Sequence, residues 1–333
     1  MSITKSIIVR VFASALVAVF FALQVCAAQA QNKMRIAFAW VPAIESLHFL
    51  AAIERARERG VDIEVSFKHA EDLAFQAVVK GEADIGIGTP YLFIQLFKPR
   101  VRMFVQLSRL RFFPVVNSEF YQTWEDLNGQ EVAVQGRGTD TETIMKIMAE
   151  KHGITYKSFI YGGGSKGRVD ALLLGKTRAS ILSAFQRHTL EKEAPGKFKV
   201  LPLGDFTATD EALFANIDYL AAHADDVDIL VEELLLRIRE IADDPSVVVE
   251  MPRQFKLLAA THRLTNEEIL AYFKETAEAG ALPVNGGGTD AAEHDFEFYS
   301  AADQLRGEPS RLNVADFWDL GPLERVLQKL GTR

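Results

Sequence analysis

Short apolar strands that alternate with amphipathic helices predict an α/β protein, and the way the alternation is arranged predicts two lobes. Three observations carry this. The alternation begins at Arg35, it restarts after a polar break that ends at Gly129, and beyond about Phe214 helical patterns take over. Strands and helices at this spacing make βαβ units, and so a mainly parallel sheet flanked by helices in each lobe. Two such sets in one chain point to two lobes with a helical C-terminal tail, not to one long sheet.

The first set places strands at 35–39, 62–67, 84–87 and 101–107, with helices at 46–59, 73–80 and 91–97 between them. Trp124 to Gly129 is a polar helical turn with a glycine stop, which commonly precedes a new strand. The second set follows, with strands at 131–134, 157–160 and 179–182 and helices at 141–152 and 167–174. Helical patterns at 227–241, 247–260, 266–279 and 323–330 make the tail, which needs a surface and is expected to fold back over the first lobe around a loop at 285–288. Thr265 with Glu268 forms a capping box ahead of one tail helix, and Gly280 is its natural stop. The expected division is residues 31–110 for the first part of lobe 1, 111–208 for lobe 2, and 209–333 for the return to lobe 1.

Ahead of the first strand, Met1 to Ala30 carries Lys5 and Arg10, an apolar run from Val11 to Val25, and a small-residue end at Ala28-Gln29-Ala30. These are the three parts of a cleavable secretory signal, with the cut expected after Ala30 and the mature protein in the periplasm. An uncleaved anchor and a lipoprotein acylated on Cys26 are the alternatives. Cys26 is the only cysteine, so a mature chain starting at Gln31 has no disulfide, no thiolate chemistry and no cysteine metal site. Its stability must come from a conventional core, which 333 minus 30 residues is ample to build. Loss of Lys5 and Arg10 leaves 35 bases against 45 acids, a net charge of −10. With no basic stripe in the chain, nucleic acid is not an expected partner.

Open α/β sheets bind ligands outside the carboxyl ends of their strands, so the loops after each strand are the places to search. The richest is 132–143, VAVQGRGTDTET. Gly136 and Gly138 allow a tight turn, Thr139, Asp140 and Thr141 suit a helix start, and the unpaired N–H groups there favour an anionic or polar group. Arg137 adds a full charge. The other reading is a plain strand-to-helix connection. Trp40 and Pro42 follow the first strand, where the Trp either stacks on a ligand or packs the helix entry. After the strand at 84–87, Pro90 fits the first helical position with Thr89 as cap. Arg109 and Arg111 follow the strand at 101–107, and Arg forks suit carboxylates, sulfonates and phosphates unless they lie on the solvated surface. In lobe 2, Tyr161 and Gly162 open a glycine-dense loop that fits no phosphate-loop motif, and Ser183 precedes Phe185, which is a pocket wall or core.

Hydrolytic motifs are missing. There is no Gly-x-Ser-x-Gly elbow and no His-Glu-x-x-His, and the seven histidines are scattered without ligand spacing. No cofactor and no metal are expected.

Four segments, taken in order, resemble the exported substrate-binding proteins of ABC importers, in the nitrate, sulfonate and taurine group with its thiamine-precursor relatives. They are Trp40-Val41-Pro42, residues 81–89 (GEADIGIGT), residues 126–134 (DLNGQEVAV) with the glycine loop after it, and Asn216-Ile217-Asp218-Tyr219-Leu220. The resemblance implies a type II periplasmic binding protein fold with two crossovers and a small ligand held in the cleft. It would place Trp40, Thr89 and the Arg109 region on one wall, and Gly138, Thr139, Asp140 and Ser183 on the other. It also implies a monomer that delivers its small-molecule ligand to an ABC permease in the inner membrane and is not an enzyme. The arginines favour an organic anion, a sulfonate or carboxylate, aromatic in view of Trp40, Tyr161 and Phe185. A thiamine-precursor pyrimidine and an exported enzyme on the same fold are the alternatives.

Overall fold

The computed structural model describes residues 33–39, 43–68, 70–204, 206–254 and 264–333. The signal segment with Cys26, then Trp40 and Pro42, and the second half of the tail helix expected at 247–260 lie outside the described residues.

The chain begins with β1 (Met34–Phe38), α1 (Leu47–Glu58), β2 (Ile63–Phe67), α2 (Glu71–Val79), β3 (Ile85–Gly88), α3 (Tyr91–Phe97) and β4 (Val101–Arg109). It then passes into a second sheet through β5 (Phe112–Asn117), β6 (Glu131–Val134), α4 (Asp140–His152), β7 (Ser158–Tyr161), α5 (Ser165–Leu173), β8 (Ala179–Ser183), α6 (Ala184–Glu193) and β9 (Phe198–Val200). β10 (Thr209–Asn216) rejoins the first sheet, and the tail follows as α7 (Ile217–Ala222), α8 (Ala224–Asp243), α9 (Met251–Gln254), α10 (Asn266–Glu278), α11 (Thr289–Ala301) and α12 (Gly321–Leu330).

The two sheets have strand orders β2-β1-β3-β10-β4 and β7-β6-β8-β5-β9. In each, the first three strands are parallel, as strand–helix alternation requires, and the remaining pairs are antiparallel. The sheets are mixed for a geometric reason. A strand arriving from the other lobe enters at the carboxyl ends of the parallel strands, on the cleft side, so β5 and β10 can only run down against β8 and β3. β5 is absent from the sequence expectation because Pro114 interrupts its apolar run, and Pro removes a ladder donor. Here Pro114 sits just past the last β9 pair, Val115 with Val200, and its carbonyl still accepts from Leu201 N–H at 2.9 Å.

The first lobe's core is closed by the tail. Along α8, Val227, Leu230, Val231, Leu234, Leu235, Ile238 and Ile241 recur at three- and four-residue steps and are fully buried. This stripe packs on α1, where Ala51, Ala52 and Ala56 let the two helices approach closely. Each such side chain contributes about 1.5–3 kcal/mol on burial, so this one stripe accounts for a large part of the lobe's stability. The outer edge of β4 is covered as well: Gln106 N–H donates to Gly286 O, Met103 N–H to Phe317 O, and Asp319 N–H to Met103 O, at 2.8–2.9 Å. The Thr265–Glu268 capping box forms at the start of α10.

Candidate functional site

The carboxyl ends of both sets of parallel strands face each other across the lobe junction. From the first lobe come Glu45 and His48 after β1, Glu71 at the start of α2, Thr89 after β3, and Asp210 and Glu211 at the head of β10. The second lobe presents the 135–140 loop after β6 and Ser183 after β8. The walls touch: Ser183 Oγ donates to Glu45 Oε1 at 3.0 Å, and the carboxyls of Asp140 and Asp210 act on each other across the junction.

The loop singled out by sequence spends several of its donors on itself. Gly138, at φ +76°, turns the chain, and its N–H donates to Glu142 Oε2 at 2.8 Å. Gln135 N–H donates to Thr141 Oγ1 at 3.0 Å, Thr141 N–H to Asp140 Oδ1 at 2.6 Å, and the Thr139 hydroxyl to Gly136 O at 2.9 Å. Thr139 is the N-cap of α4, and the negative charge that suits this helix start is supplied by the chain's own Asp140 and Glu142. The second expected cap also differs. α3 starts at Tyr91 with Pro90 at the cap, and Thr89 Oγ1 accepts from Tyr299 Oη at 2.9 Å instead of capping the helix.

The arginines expected to favour an anion already have partners within the protein. Arg111 Nη2 pairs with Glu275 Oε1 at 2.7 Å and Nη1 donates to Thr276 Oγ1 at 2.9 Å, both on α10. Arg109 Nη1 donates to Gly280 O at 3.2 Å. Arg137 lies 5.7 Å over the ring of Tyr161, whose hydroxyl donates to Glu142 Oε1 at 2.9 Å. Gly162 N–H donates to Val134 O, tying that loop to β6. Phe185 packs edge-on to Tyr272 at 6.5 Å against the first lobe's core. One cation the sequence did not single out is near: Arg168 is fully buried, binds Ile181 O, Gly163 O and Ser165 Oγ, and is pushed down to about 10 by desolvation. Those contacts make it the clamp of the 162–165 loop.

Carboxyls dominate the junction. Glu71 is pushed up to about 8 by burial and then by the charges of Asp140, Glu211 and Asp72. Glu211 rises to about 7 for the same first reason, with Glu45 and Asp140 adding to it. Glu45 is raised by burial against the pull of the Ser183 hydroxyl. Asp140 and Asp210 are both raised by burial, and the Asp140 charge raises Asp210 further. Glu45, Glu71, Asp210 and Glu211 nevertheless keep some accessible surface, as walls of an enclosed space do. His48, 3% exposed, is held neutral: burial lowers it to about 4 against the backbone contacts of Leu107, whose carbonyl lies 3.2 Å from Nε2, and of Glu45.

Two cavities border these groups. A cavity of about 720 Å³ is lined by Glu71, Phe75, Leu92 and Phe93 together with the sequence-predicted Thr89, Pro90, Arg137, Gly138 and Thr139. A small one of about 30 Å³ near the crossovers brings Arg109, Arg111 and Ser183 together with Glu45, His48 and Asp210. Asp140, Thr141, Tyr161, Gly162 and Phe185 line neither. No group of side chains among the described residues is arranged to hold a metal ion.

No protein-family model matches this sequence, and no curated protein does either. The fold, by contrast, has many solved counterparts. A protein of Bordetella bronchiseptica RB50 superposes with TM-score 0.70 at 20% identity, over 90% of this chain and 98% of its own. The alkanesulfonate-binding protein SsuA from Xanthomonas axonopodis pv. citri, bound to MOPS, gives 0.64 at 17%, over 86% and 98%. The periplasmic nitrate-binding protein NrtA from Synechocystis PCC 6803 gives 0.67 at 12%, over 91% and 90%. The chain therefore has the two-lobed fold of the periplasmic binding proteins, the group its four segments resemble.

Proposed function

We propose that this protein is the solute-binding component of an ABC import system, and that the small molecule it captures between its lobes carries a basic nitrogen. The carrying observation is the convergence of Glu45, Glu71, Asp140, Asp210 and Glu211 at the lobe junction, where Arg111 is already paired with Glu275, Arg109 is bound to Gly280 O, and Arg168 acts on Asp140 alone of the five. Carboxyls gathered in a desolvated space either hold protons or need a counter-cation. A protonated amine or amidine entering there can take the place of a proton these carboxyls otherwise hold, while an anion offers them no charge compensation. Fold likeness supports the transport role, and the lining sets the charge. Of the ligand classes left open by sequence, the aminopyrimidine suits this lining and the sulfonate or carboxylate does not.

Export through the 1–30 segment, action as a periplasmic monomer, closure of the lobes on the ligand and docking on an inner-membrane permease belong to the same reading. It assigns the protein no catalytic step. Thermal-shift measurement against aminopyrimidines, alkylamines, sulfonates and carboxylates tests it, because a ligand that binds only the folded state raises the melting temperature. Nitrogen bases should raise it. A rise with sulfonates or carboxylates alone would reject the charge assignment.

A further inference from the structure

We infer that the ligand is amphipathic, with a basic head group held at Glu71 and an apolar, preferentially aromatic body lodged in the cavity between α2, α3 and the 135–139 loop. The inference rests on the cationic reading above and adds the shape and polarity of the rest of the molecule.

The cavity has the size of a small-molecule site, about 720 Å³ within a usual range of about 300–1,000 Å³. Its lobe 1 wall is apolar, built from one face of α2 (Phe75, Val79) and of α3 (Leu92, Phe93, Phe97). Phe75 and Phe93 stack at 5.4 Å with their planes 28° apart, and Phe93 and Phe97 continue the stack at 6.5 Å and 12°. A run of near-parallel rings gives a flat surface on which another ring can lie. Phe97 is 70% exposed at the mouth, and exposed aromatics contiguous with a cavity mark a binding surface more than a folding need. Leu92 reaches across to the opposite lobe, where a Cβ on Gly138 would stand 3.2 Å from its Cδ2.

At the inner end the polarity changes. The Glu71 side chain folds over Gly88, whose φ of +144° favours glycine, and a Cβ there would lie in ordinary contact, 3.4 Å from the carboxyl. The charged groups acting on Glu71 are Asp72, Asp140 and Glu211, all acidic, and no ion pair to it forms among the described residues. Arg137 is the cation that lines the cavity, and it is held over Tyr161. An acid without a cation at one end of an aromatic-walled space is complementary to an arylalkylamine. With its carboxyl raised to about 8, Glu71 carries a proton at pH 7 in the free protein, so docking of an ammonium expels that proton to the buffer.

Isothermal titration of the full mature chain at pH 7, in two buffers of different ionisation heat, tests this with three probes: phenethylamine, ethylamine and benzenesulfonate. Phenethylamine is expected to bind at least tenfold tighter than ethylamine and to release close to one proton. Phe93→Ala should weaken phenethylamine about tenfold and leave ethylamine within twofold. Leu92→Phe, which fills the cavity without removing core, should do the same, and circular dichroism checks that both variants fold. Glu71→Gln should abolish proton release. Equal affinity for the two amines, or equal loss of both in Phe93→Ala, overturns the amphipathic ligand and leaves the cationic reading standing. Binding of benzenesulfonate without either amine, or of none of the three, overturns both.

Discussion

Glu71 and His48 titrate in opposite directions, and their effects on stability are separable by pH. The carboxyl of Glu71 is raised to about 8, so its protonated form is favoured by the fold. The stability it contributes is fully present below the ordinary glutamate range and is lost as pH rises through about 8. Glu211, raised to about 7, acts in the same sense. His48 is lowered to about 4, so its contribution is full above the ordinary histidine range and is lost as pH falls toward 4. The ligand-free protein should therefore melt at lower temperature at pH 8.5 than at pH 6.5, and Glu71→Gln should flatten that fall; calorimetry at both pH values checks it. His48→Gln should flatten only the acid side. A different buried carboxyl is structural. Asp295 accepts from Thr209 N–H and from Tyr91 Oη, both at 2.6 Å, and Trp318 Nε1 donates to Tyr91 Oη at 2.7 Å. Asp295→Ala leaves two buried donors without an acceptor and should cost about 2–4 kcal/mol in denaturant unfolding.

At the scale of elements, α10 and α6 form a charged clasp between the lobes. Glu275 receives Arg111, Arg187 and His188, the last at 2.7 Å, and Lys192 Nζ meets Glu268 Oε1 at 2.7 Å one helical turn on. Each exposed pair is worth little alone, but a carboxylate shared by three bases ties the two lobes together at this boundary. Replacing Glu275 and Glu268 with glutamine should give a measurably larger radius of gyration in ligand-free solution scattering, with α-helical content unchanged.

The elements also show what a sequence can disclose. β1, β3, β6 and β8 are legible because each is a short apolar run between turn signals, and their following loops supply Thr89, Pro90, Arg137, Gly138 and Thr139 of the large cavity. β5 is hidden by Pro114, and β9 by its three-residue length, since both are defined by pairing with distant strands. Glu45, Glu71, Asp210 and Glu211 are hidden for another reason. Each looks like an ordinary surface acid in its own segment, and only the two crossovers bring them to one place. The arginines mislead in the converse way: Arg111 looks free until α10, more than 150 residues later, supplies Glu275.

For the whole molecule, net charge and local charge agree in sign. The chain is acidic overall, and acidic side chains gather at its lobe junction, so the proposed cationic ligand meets acids at both scales. Two-lobed proteins of the same fold include an alkanesulfonate-binding and a nitrate-binding protein. A shared fold leaves the ligand to the lining, and this lining is acidic at its centre and aromatic at its flank. Native mass spectrometry of the protein exported and purified without denaturation tests that claim most directly. A retained small molecule containing a basic nitrogen on an apolar frame is the predicted result; a retained sulfonate or carboxylate lacking such a nitrogen would contradict it.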